Sequence, residues 1–282
     1  MKFTKMHGAG NDYIYFNCLN EPISNPEQLS IALSDRHFSI GGDGIVLICP
    51  SQTADVRMRM FNADGSEGKM CGNAIRCVAK YVYDRGIVPR ETITVETLSG
   101  IKTIQVFVRD GKVFSARVDM GKATGLKPGE TTLPAAKHGF LINQPIHVDG
   151  EDWRVTTVSM GNPHIVTFLP EVAGLDLQKI GPGFENHPFF PEKINTEFVQ
   201  VRGPLDLEMR VWERGSGETL ACGTGACASV FAAILNGYCK KDTDVTVHLL
   251  GGELVIRVTD ETVFMTGEAV EVFTGEIDYE NQ

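Results

Sequence analysis

The chain has 282 residues and a formal net charge of −10, with 42% hydrophobic and 22% charged residues. This composition is typical of a globular protein with one large domain or two smaller ones. The negative charge argues against nucleic acid or an anionic membrane as a partner, because both attract basic patches. Seven cysteines, an odd number, indicate reduced thiols rather than a disulfide framework.

The first residues, MKFTKMHGAGNDYIYF, have neither the apolar core of a signal peptide nor an Arg- and Ser-rich transit character. No run of about 18 apolar residues occurs, so the sequence predicts no membrane span. We therefore expect a cytoplasmic protein.

In the first half of the chain, alternating or β-branched runs predict five strands. In order, they are 45–49, 56–61, 91–96, 101–108 and 113–118. The segment KMCGNAIRCVAKY (69–81) predicts a helix after its Cys-Gly pair, because the apolar residues from Ala74 to Val82 form one stripe. Gly86 stands where the C-terminal cap of this helix belongs. Gly121, Gly125 and Pro128 then break the pattern and predict a domain boundary.

The second half predicts the same series of elements. Its strands are 197–201, 205–212, 245–250, 253–258 and 263–266, and a last strand over 269–274 is expected to return to the first lobe. The segment LACGTGACASVFAA (220–233) again places a helix after Cys-Gly. This helix, 226–235, is apolar almost all round and ends at Asn236-Gly237, which predicts that it is enclosed.

An offset of 151 residues aligns the two halves. Gly10-Asn11 falls on Gly161-Asn162, and Cys71-Gly72 falls on Cys222-Gly223. Matched strand, loop and helix in the same order indicate two homologous lobes. We predict an α/β fold of the α+β type, with two pseudo-symmetric lobes, each a curved, mostly antiparallel sheet around a central helix, and an active site in the cleft between them. The predicted N-terminal lobe is 1–120, joined by 269–282, and the C-terminal lobe is 121–268.

Each Cys-Gly pair lies at a predicted helix N-terminus, where unpaired N–H groups and the helix dipole lower the pKa of a thiol and can hold a carboxylate. Two such turns facing one cleft would place a thiolate and a thiol on opposite faces of one carbon. That geometry predicts inversion of a stereocentre next to a carboxylate, with Cys71 and Cys222 exchanging the roles of base and acid.

The remaining cysteines are expected to be small buried apolar residues. They are Cys18, Cys49, Cys77, Cys227 and Cys239. No Cys-x-x-Cys occurs, which argues against a zinc site and a thioredoxin-like site. GTGACA (223–228) nominally fits a dinucleotide signature, but it lacks a convincing strand before it and any βαβ context. We therefore predict no metal and no cofactor.

The chain resembles the diaminopimelate epimerase family over essentially its whole length. The segments that carry the resemblance are HGAGNDY (7–13), FNADGSEGKMCGNAIRC (61–77), GNPH (161–164), INTEFV (194–199) and ERGSGETLACGTGACA (213–228). The cysteine turns are shared with proline racemases, whereas HGAGND and ERGSGET distinguish the two families. The resemblance implies a cofactor-independent homodimer of lysine and peptidoglycan-precursor synthesis that interconverts the small molecules LL- and meso-2,6-diaminopimelate.

The resemblance also implies roles for individual residues. Cys71 and Cys222 are implied as the acid/base pair, with Glu213 and His164 as further catalytic-site residues. The implied substrate ligands are Asn11, Asn62, Gly72, Asn73, Asn162, Asn195, Glu213, Arg214, Gly223 and Thr224. Arg214 is the natural partner of the distal carboxylate. Position 44 departs from the pattern, because some members carry a substrate-contacting Gln where this chain has Gly44.

Three other functions remain open at this point. A proline or hydroxyproline epimerase would use the same cysteine turns. A two-lobe protein that only binds an amino acid would not need two activated thiols, and a thiol redox sensor would not need Arg214 with its surrounding Asn residues.

Overall fold

The computed structural model describes residues 1–133 and 139–279. The chain divides into two compact units: unit 1 comprises Met1–Asp119 with Thr266–Gln282, and unit 2 comprises Met120–Met265. Among the described residues, sheet dominates and four helices accompany it, so the predicted fold class is confirmed. No helix in this part of the chain is both long and apolar enough to span a bilayer.

Most of the described residues lie in helices and strands. In order, they are β1 (Lys2–Gly8), β2 (Asn11–Asn17), α1 (Pro26–Ser34), β3 (Gly44–Cys49), β4 (Val56–Asn62), β5 (Glu67–Gly68), α2 (Gly72–Asp84), β6 (Thr92–Thr97), β7 (Gly100–Arg109), β8 (Lys112–Asp119), β9 (Gln144–Val148), β10 (Glu151–Ser159), β11 (Pro163–Leu169), α3 (Leu177–Glu185), β12 (Asn195–Gly203), β13 (Asp206–Glu213), β14 (Gly217–Glu218), α4 (Gly223–Leu235), β15 (Asp244–Leu249), β16 (Gly252–Val258), β17 (Val263–Glu268) and β18 (Val270–Glu276). All ten strands predicted for the two halves are present, with ends within two residues of the prediction.

In unit 1, β1 pairs antiparallel with both β2 and β18. The ladder continues with β2 parallel to β3, β3 antiparallel to β4, and β4 parallel to β6, after which β7 and β8 follow antiparallel. Leu29 and Leu33 of α1 pack with Ile14, Ile45 and Phe61 in a buried cluster on one side of these strands. The amphipathic helix α2 buries most of its residues, so the sheet of unit 1 is covered by helices.

In unit 2, the order of pairing is the same. β10 is antiparallel to β11, β11 is parallel to β12, β12 is antiparallel to β13, and β13 is parallel to β15, which pairs antiparallel with β16. Phe184 of α3 packs on Phe198 and on Trp153, with ring centroids 5.2 and 5.1 Å apart. The residues of α4 are largely buried, which confirms the prediction that this helix is enclosed.

The internal repeat extends beyond the sequence matches. α1 begins at Pro26 and α3 at Leu177, 151 residues later. α2 begins at Gly72 and α4 at Gly223, again 151 residues later. Both helices recur at an offset of 151 residues, and the order of strand pairing is the same in both units. The two units therefore have the same fold.

Candidate active site

The first cysteine turn is built by the N-terminus of α2. Cys71 is the N-cap residue, and its Sγ accepts a hydrogen bond from the backbone N–H of Ala74 at 3.5 Å. Its thiol donates to Asn11 Oδ1 at 3.3 Å. Gly86, at φ +68°, follows the C-terminus of the helix, and its N–H donates to the Tyr83 carbonyl at 2.9 Å. The predicted cap is therefore confirmed, and the helix holds the cysteine at its opposite end.

The Asn11 amide is hydrogen-bonded to a network of charged side chains. Asn11 Nδ2 donates to Asp43 Oδ2 at 2.7 Å, and Arg36 bridges Asp43 and Asp12. Lys5 lies 2.6 Å from Asp12 on the other side. The carboxylate of Asp43 therefore fixes the amide orientation of Asn11, whose oxygen faces Cys71.

The predicted residues Gly72 and Asn73 lie in the first turn of α2, where both are hydrogen-bonded to a buried arginine. Arg76 is 0% exposed. Its guanidinium donates to the Gly72 carbonyl at 3.1 Å, to Asn73 Oδ1 at 3.0 Å and to the Glu268 carbonyl at 3.2 Å. Arg76 thus binds oxygens of this turn and not its N–H groups, which are the groups that bind anions at a helix N-terminus.

Asn62, predicted as a substrate ligand, ends β4. Its Nδ2 donates to Ser66 Oγ at 3.0 Å, and its backbone N–H donates to the Ser66 carbonyl at 2.9 Å. The structure therefore groups Cys71, Asn11, Gly72 and Asn73 at one helix end, and it gives Asn62 a separate partner in the β4–β5 turn.

The second cysteine turn is built by α4 in the same way. Cys222 is the N-cap residue, and its Sγ accepts from the Gly225 N–H at 3.3 Å. The hydroxyl of Thr224 lies 3.5 Å from the sulfur. Gly223 opens the helix, as Gly72 does in unit 1.

Two carboxyl groups surround the Cys222 thiol. The thiol hydrogen-bonds to Glu213, which also accepts from Thr219 Oγ1 at 2.5 Å. Burial, together with the charges of Glu213 and Glu197, raises the pKa of Cys222 well above its usual value. Burial likewise raises the pKa of Glu213.

The sequence had predicted a lowered thiol pKa at each turn, and for Cys222 that prediction is wrong. The Gly225 N–H and the Thr224 hydroxyl do stabilise a thiolate, but burial and the neighbouring carboxyls outweigh them. Cys222 is therefore held as a protonated thiol, which suits it to donate a proton.

His164 and Asn162 connect to this turn from the neighbouring strand. His164 is 0% exposed. Its Nδ1 lies 2.7 Å from Glu197 Oε1, and its Nε2 lies 3.0 Å from Asn162 Oδ1. Asn162 Nδ2 donates to Thr224 Oγ1 at 3.3 Å. Hydrogen bonds thus join Glu197, His164, Asn162 and Thr224 into one network beside Cys222.

Asn195 and Arg214 form a second group in unit 2. Asn195 is paired with His164 in the β11–β12 ladder, and its side chain accepts from the Arg214 backbone N–H at 3.0 Å. It also donates to the Pro163 carbonyl at 3.1 Å. The Arg214 guanidinium donates one bond to the Glu192 carbonyl at 3.0 Å, which leaves most of its five donors for another acceptor.

Gly44, the departure from the family pattern, opens β3 at φ +153°. A Cβ atom at this position would collide with the backbone carbonyl of Phe61 on β4. The backbone here therefore has no room for the Gln that other members carry.

Several residues of these networks were not predicted from the sequence, among them Arg76, Asp43, Thr219 and Glu197. Arg76, Thr219 and Glu197 lie inside the segments that carry the family resemblance, so their motifs could have drawn attention to them. Glu197 stands between Thr196 and Phe198 in a strand, where a glutamate ordinarily faces solvent. Apart from its motif, no chemical signal in the sequence separates it from a surface residue.

The other cysteines largely follow expectation. Cys18, Cys77, Cys227 and Cys239 are buried, whereas Cys49, also predicted to be buried, is partly exposed. Within the described residues, no group of three or more His, Cys, Asp or Glu side chains could hold a metal ion. The grouped thiols and carboxyls, beside two helix N-termini that can bind anions, can support proton transfer.

Comparison with known proteins identifies relatives of the whole chain. The model of the family "Diaminopimelate epimerase" matches residues 3–126 and 156–272. The diaminopimelate epimerase of Acetivibrio thermocellus is 54% identical over 280 residues, which cover 99% of both chains. That of Methanococcus maripaludis is 52% identical over 280 residues, covering 99% of this chain and 100% of the relative.

Solved structures share the fold at low sequence identity. A probable proline racemase from Agrobacterium radiobacter superimposes with a TM-score of 0.74 at 13% identity, covering 99% of this chain and 93% of the other. A phenazine biosynthesis protein from Bacillus anthracis gives a TM-score of 0.73 at 16% identity, covering 99% of both chains. These likenesses show the fold alone.

Proposed function

Because this chain belongs to the diaminopimelate epimerase family, we propose that it is an isomerase that interconverts LL- and meso-2,6-diaminopimelate. The observation that carries the mechanism is the repeated turn. Each unit presents a cysteine as the N-cap residue of a 13-residue helix, and the two helices lie at one offset in the chain. An epimerase that inverts one carbon needs one acid and one base of similar kind, which a duplicated turn supplies.

In the proposed reaction, Cys71 first loses its thiol proton to water, and the resulting thiolate takes the α-proton of the substrate. The electron pair of the broken C–H bond stays on the carbon and is delocalised into the carboxylate, whose extra charge the helix N–H groups of Gly72-Asn73 and Gly223-Thr224 stabilise. The Cys222 thiol then delivers its proton to the opposite face, which leaves a Cys222 thiolate. The reverse reaction exchanges the two roles.

The surroundings of Cys222 support its role as the proton donor in this direction. Burial and the carboxyls of Glu213 and Glu197 raise the pKa of its thiol, so the proton stays on sulfur at neutral pH. Glu213 is proposed as the catalytic-site partner of this thiol, because the two groups are hydrogen-bonded. His164 is proposed to hold Asn162 toward the turn.

The distal end of the substrate is proposed to bind Arg214. Its guanidinium makes one hydrogen bond to a backbone carbonyl, and a planar fork of donors matches a second carboxylate. Asn11, Asn62, Asn162 and Asn195 are proposed as polar neighbours of the substrate. A proline or hydroxyproline epimerase would have no use for Arg214, since those substrates carry a single carboxylate.

Exchange of the α-proton in deuterated water tests this function directly. We expect deuterium to enter diaminopimelate during epimerisation, and no exchange into proline, hydroxyproline or lysine. Exchange into proline at a comparable rate would favour the rival epimerase, and binding without exchange would favour a binding protein. Activity that persists after dialysis against a metal chelator and treatment with hydroxylamine would support a reaction without metal or pyridoxal phosphate.

We further propose that the protein is a cytoplasmic homodimer with domains 1–120 plus 269–282 and 121–268. The family resemblance supports the dimer, and the composition supports the location. Light scattering of the purified protein gives the mass in solution, for which 30.9 kDa is the value of a single chain.

A further inference from the structure

A buried carboxyl group lies behind the Cys222 turn. Glu197, on β12, is 0% exposed. Its Oε1 lies 2.7 Å from His164 Nδ1, and its Oε2 has no hydrogen-bond partner among the described residues. A buried carboxyl is costly unless its charge is compensated, so a single contact to a histidine points to a use beyond stability.

The hydrogen bonds of His164 determine where its ring carries protons. Asn162 donates its Nδ2 to Thr224, which leaves the amide oxygen facing the ring. His164 Nε2 lies 3.0 Å from that oxygen and must donate a proton to it. The opposite nitrogen, Nδ1, is hydrogen-bonded to Glu197 Oε1. Glu197 therefore fixes the orientation of the ring, and the ring fixes the orientation of the Asn162 amide.

Glu197 also touches the first turn of α4 directly. A Cβ atom on Gly225 would lie 2.6 Å from Glu197 Oε1, so the carboxyl packs directly against this position of the helix. The N–H of the same Gly225 donates to Cys222 Sγ at 3.3 Å. The Glu197 carboxyl thus interacts with the cysteine turn in two ways. It contacts Gly225 directly, and it is linked to Thr224 through the hydrogen bonds of His164 and Asn162.

We propose that Glu197 is a positioning residue of this site: through His164 and the first turn of α4, it holds the Cys222 S–H group in the direction needed to protonate the substrate. The proposal rests on the epimerase function stated above, since it concerns the proton donor of that reaction. Glu197 touches no substrate atom in this scheme and acts entirely through its neighbours.

The charge of Glu197 also affects the pKa of the Cys222 thiol. The titratable groups that act on the Cys222 sulfur are Glu213 from β13 and Glu197 from β12. His164 from β11 acts on Glu213 and contacts Glu197. A negative charge on Glu197 disfavours a thiolate on Cys222 and thereby raises the pKa of that thiol. Removal of the charge should lower the pH at which Cys222 loses its proton.

The test is the pH profile of Glu197→Gln, a substitution that keeps the shape of the side chain and removes its charge. We expect kcat to fall about 10–100-fold, as for other groups that orient a functional histidine. KM should change less than kcat, because Glu197 itself touches no substrate atom. The basic limb of the kcat profile should shift to lower pH. A role confined to packing would change the unfolding midpoint and leave this limb in place.

A second variant separates charge from position. Glu197→Asp keeps the charge and withdraws it by one methylene, so it should lower kcat at least about 10-fold with the basic limb near that of the native enzyme. Glu261→Gln, an exposed glutamate in the same unit, is the matched control and should behave like the native enzyme. Circular dichroism establishes that each variant is folded.

These experiments test the role of Glu197 separately from the proposed epimerase function. If the native enzyme exchanges the α-proton of diaminopimelate while Glu197→Asp keeps native kcat, or folded Glu197→Gln keeps the native basic limb, Glu197 is not a positioning residue. If Glu197→Gln does not fold, the kcat of Glu197→Asp alone decides whether Glu197 positions the thiol. If the native enzyme exchanges no α-proton, the epimerase assignment itself fails.

Discussion

Cys71 and Cys222 occupy the same structural position in their units: each is the N-cap residue of its helix and accepts a backbone hydrogen bond from three residues along. The sulfur-to-nitrogen distances are 3.5 Å to Ala74 and 3.3 Å to Gly225. Their neighbours differ, because Cys71 faces the amide of Asn11 while Cys222 faces carboxyls. Equal positions suit the exchange of roles in a reversible reaction, and the carboxyls hold the resting proton on Cys222.

We expect Cys71→Ala and Cys222→Ala each to abolish epimerisation, because a planar intermediate keeps the two faces apart and neither thiol can replace the other. The loss should exceed the roughly 10²–10⁴-fold that one general acid or base is usually worth. Early in the reaction in deuterated water, label should appear in the newly formed isomer rather than in the remaining substrate. Cys239→Ala, at a buried cysteine, serves as the control. Near-normal epimerisation by either single variant would contradict the two-base mechanism.

Arg214→Leu should reduce kcat/KM for diaminopimelate strongly while the fold survives. Loss of a charge-assisted contact to a carboxylate typically costs about 2–5 kcal/mol. Within the protein, the substitution removes the hydrogen bond from the Arg214 guanidinium to the Glu192 carbonyl. Steady-state kinetics with diaminopimelate measures the effect. Arg202→Leu, at an exposed arginine paired with Glu208, is the control. Equal losses in the two variants would remove Arg214 from the site.

Glu213 should make stability depend on pH. Burial raises its pKa above 4.5 in the folded protein, so its contribution to stability is complete below about pH 4.5 and is lost as the pH rises through the folded-state value. Glu213→Gln should therefore be more stable than the native protein at pH 8, and this gain should vanish toward pH 4.5. Urea unfolding across this range measures it, with Glu261→Gln as control. A stability difference that is independent of pH would show that Glu213 stays ionised at no cost.

Much of the strand framework could be predicted because its apolar residues alternate with the period of a strand or form β-branched runs. Two helices escaped prediction for identifiable reasons. α1 is only nine residues long, and α3 contains Pro182 between two glycines, a pattern that argues against a helix. β1, β2, β9, β10 and β11 also escaped prediction, as did the two-residue strands β5 and β14. β1 buries the polar residues Thr4 and Lys5 among its apolar residues, which obscures the strand pattern.

The site also has features that the sequence indicates and features that depend on tertiary contacts. The family resemblance and the 151-residue offset point to Asn11 and Asn162, and the structure places each of them beside a cysteine turn. The raised pKa of Cys222 could not be predicted, because it depends on burial and on Glu197, which lies 25 residues before the cysteine in the chain. A local rule for cysteines at helix ends holds only where tertiary neighbours do not oppose it.

Gly44→Ala should destabilise the protein by about 2–4 kcal/mol, the sum of a strained backbone and a forced contact. Gly44 has φ +153°, and an added Cβ would meet the Phe61 carbonyl on the paired strand. Gly111→Ala is a matched control, since that glycine has φ +74° with open space around it and should cost only the backbone term. Urea unfolding compares the two. If the losses are equal, β4 relaxes and position 44 could accommodate the family's Gln.

The thiols of Cys18 and Cys49 interact with each other in unit 1, apart from the cysteine turns. Cys18 follows β2 and its N–H donates to the Ile48 carbonyl at 2.8 Å, so the chain continues the β2–β3 ladder at the two cysteines. A hydrogen bond from Cys18, supported by the charges of Arg59 and Arg57, lowers the pKa of Cys49 to about 7. The same hydrogen bond and burial raise the pKa of Cys18.

Cys49 should therefore be alkylated near neutral pH, because the thiolate is the reactive form. We expect its rate of reaction with iodoacetamide to rise through about pH 7, whereas buried Cys239, whose pKa is raised, should react slowly there. Cys18→Ala removes the hydrogen-bond donor and should move the Cys49 curve to higher pH. Mass spectrometry of peptides after timed labelling measures each cysteine separately. A Cys49 rate that rises only near pH 9, or that is unchanged in Cys18→Ala, would show that the two thiols do not share a proton.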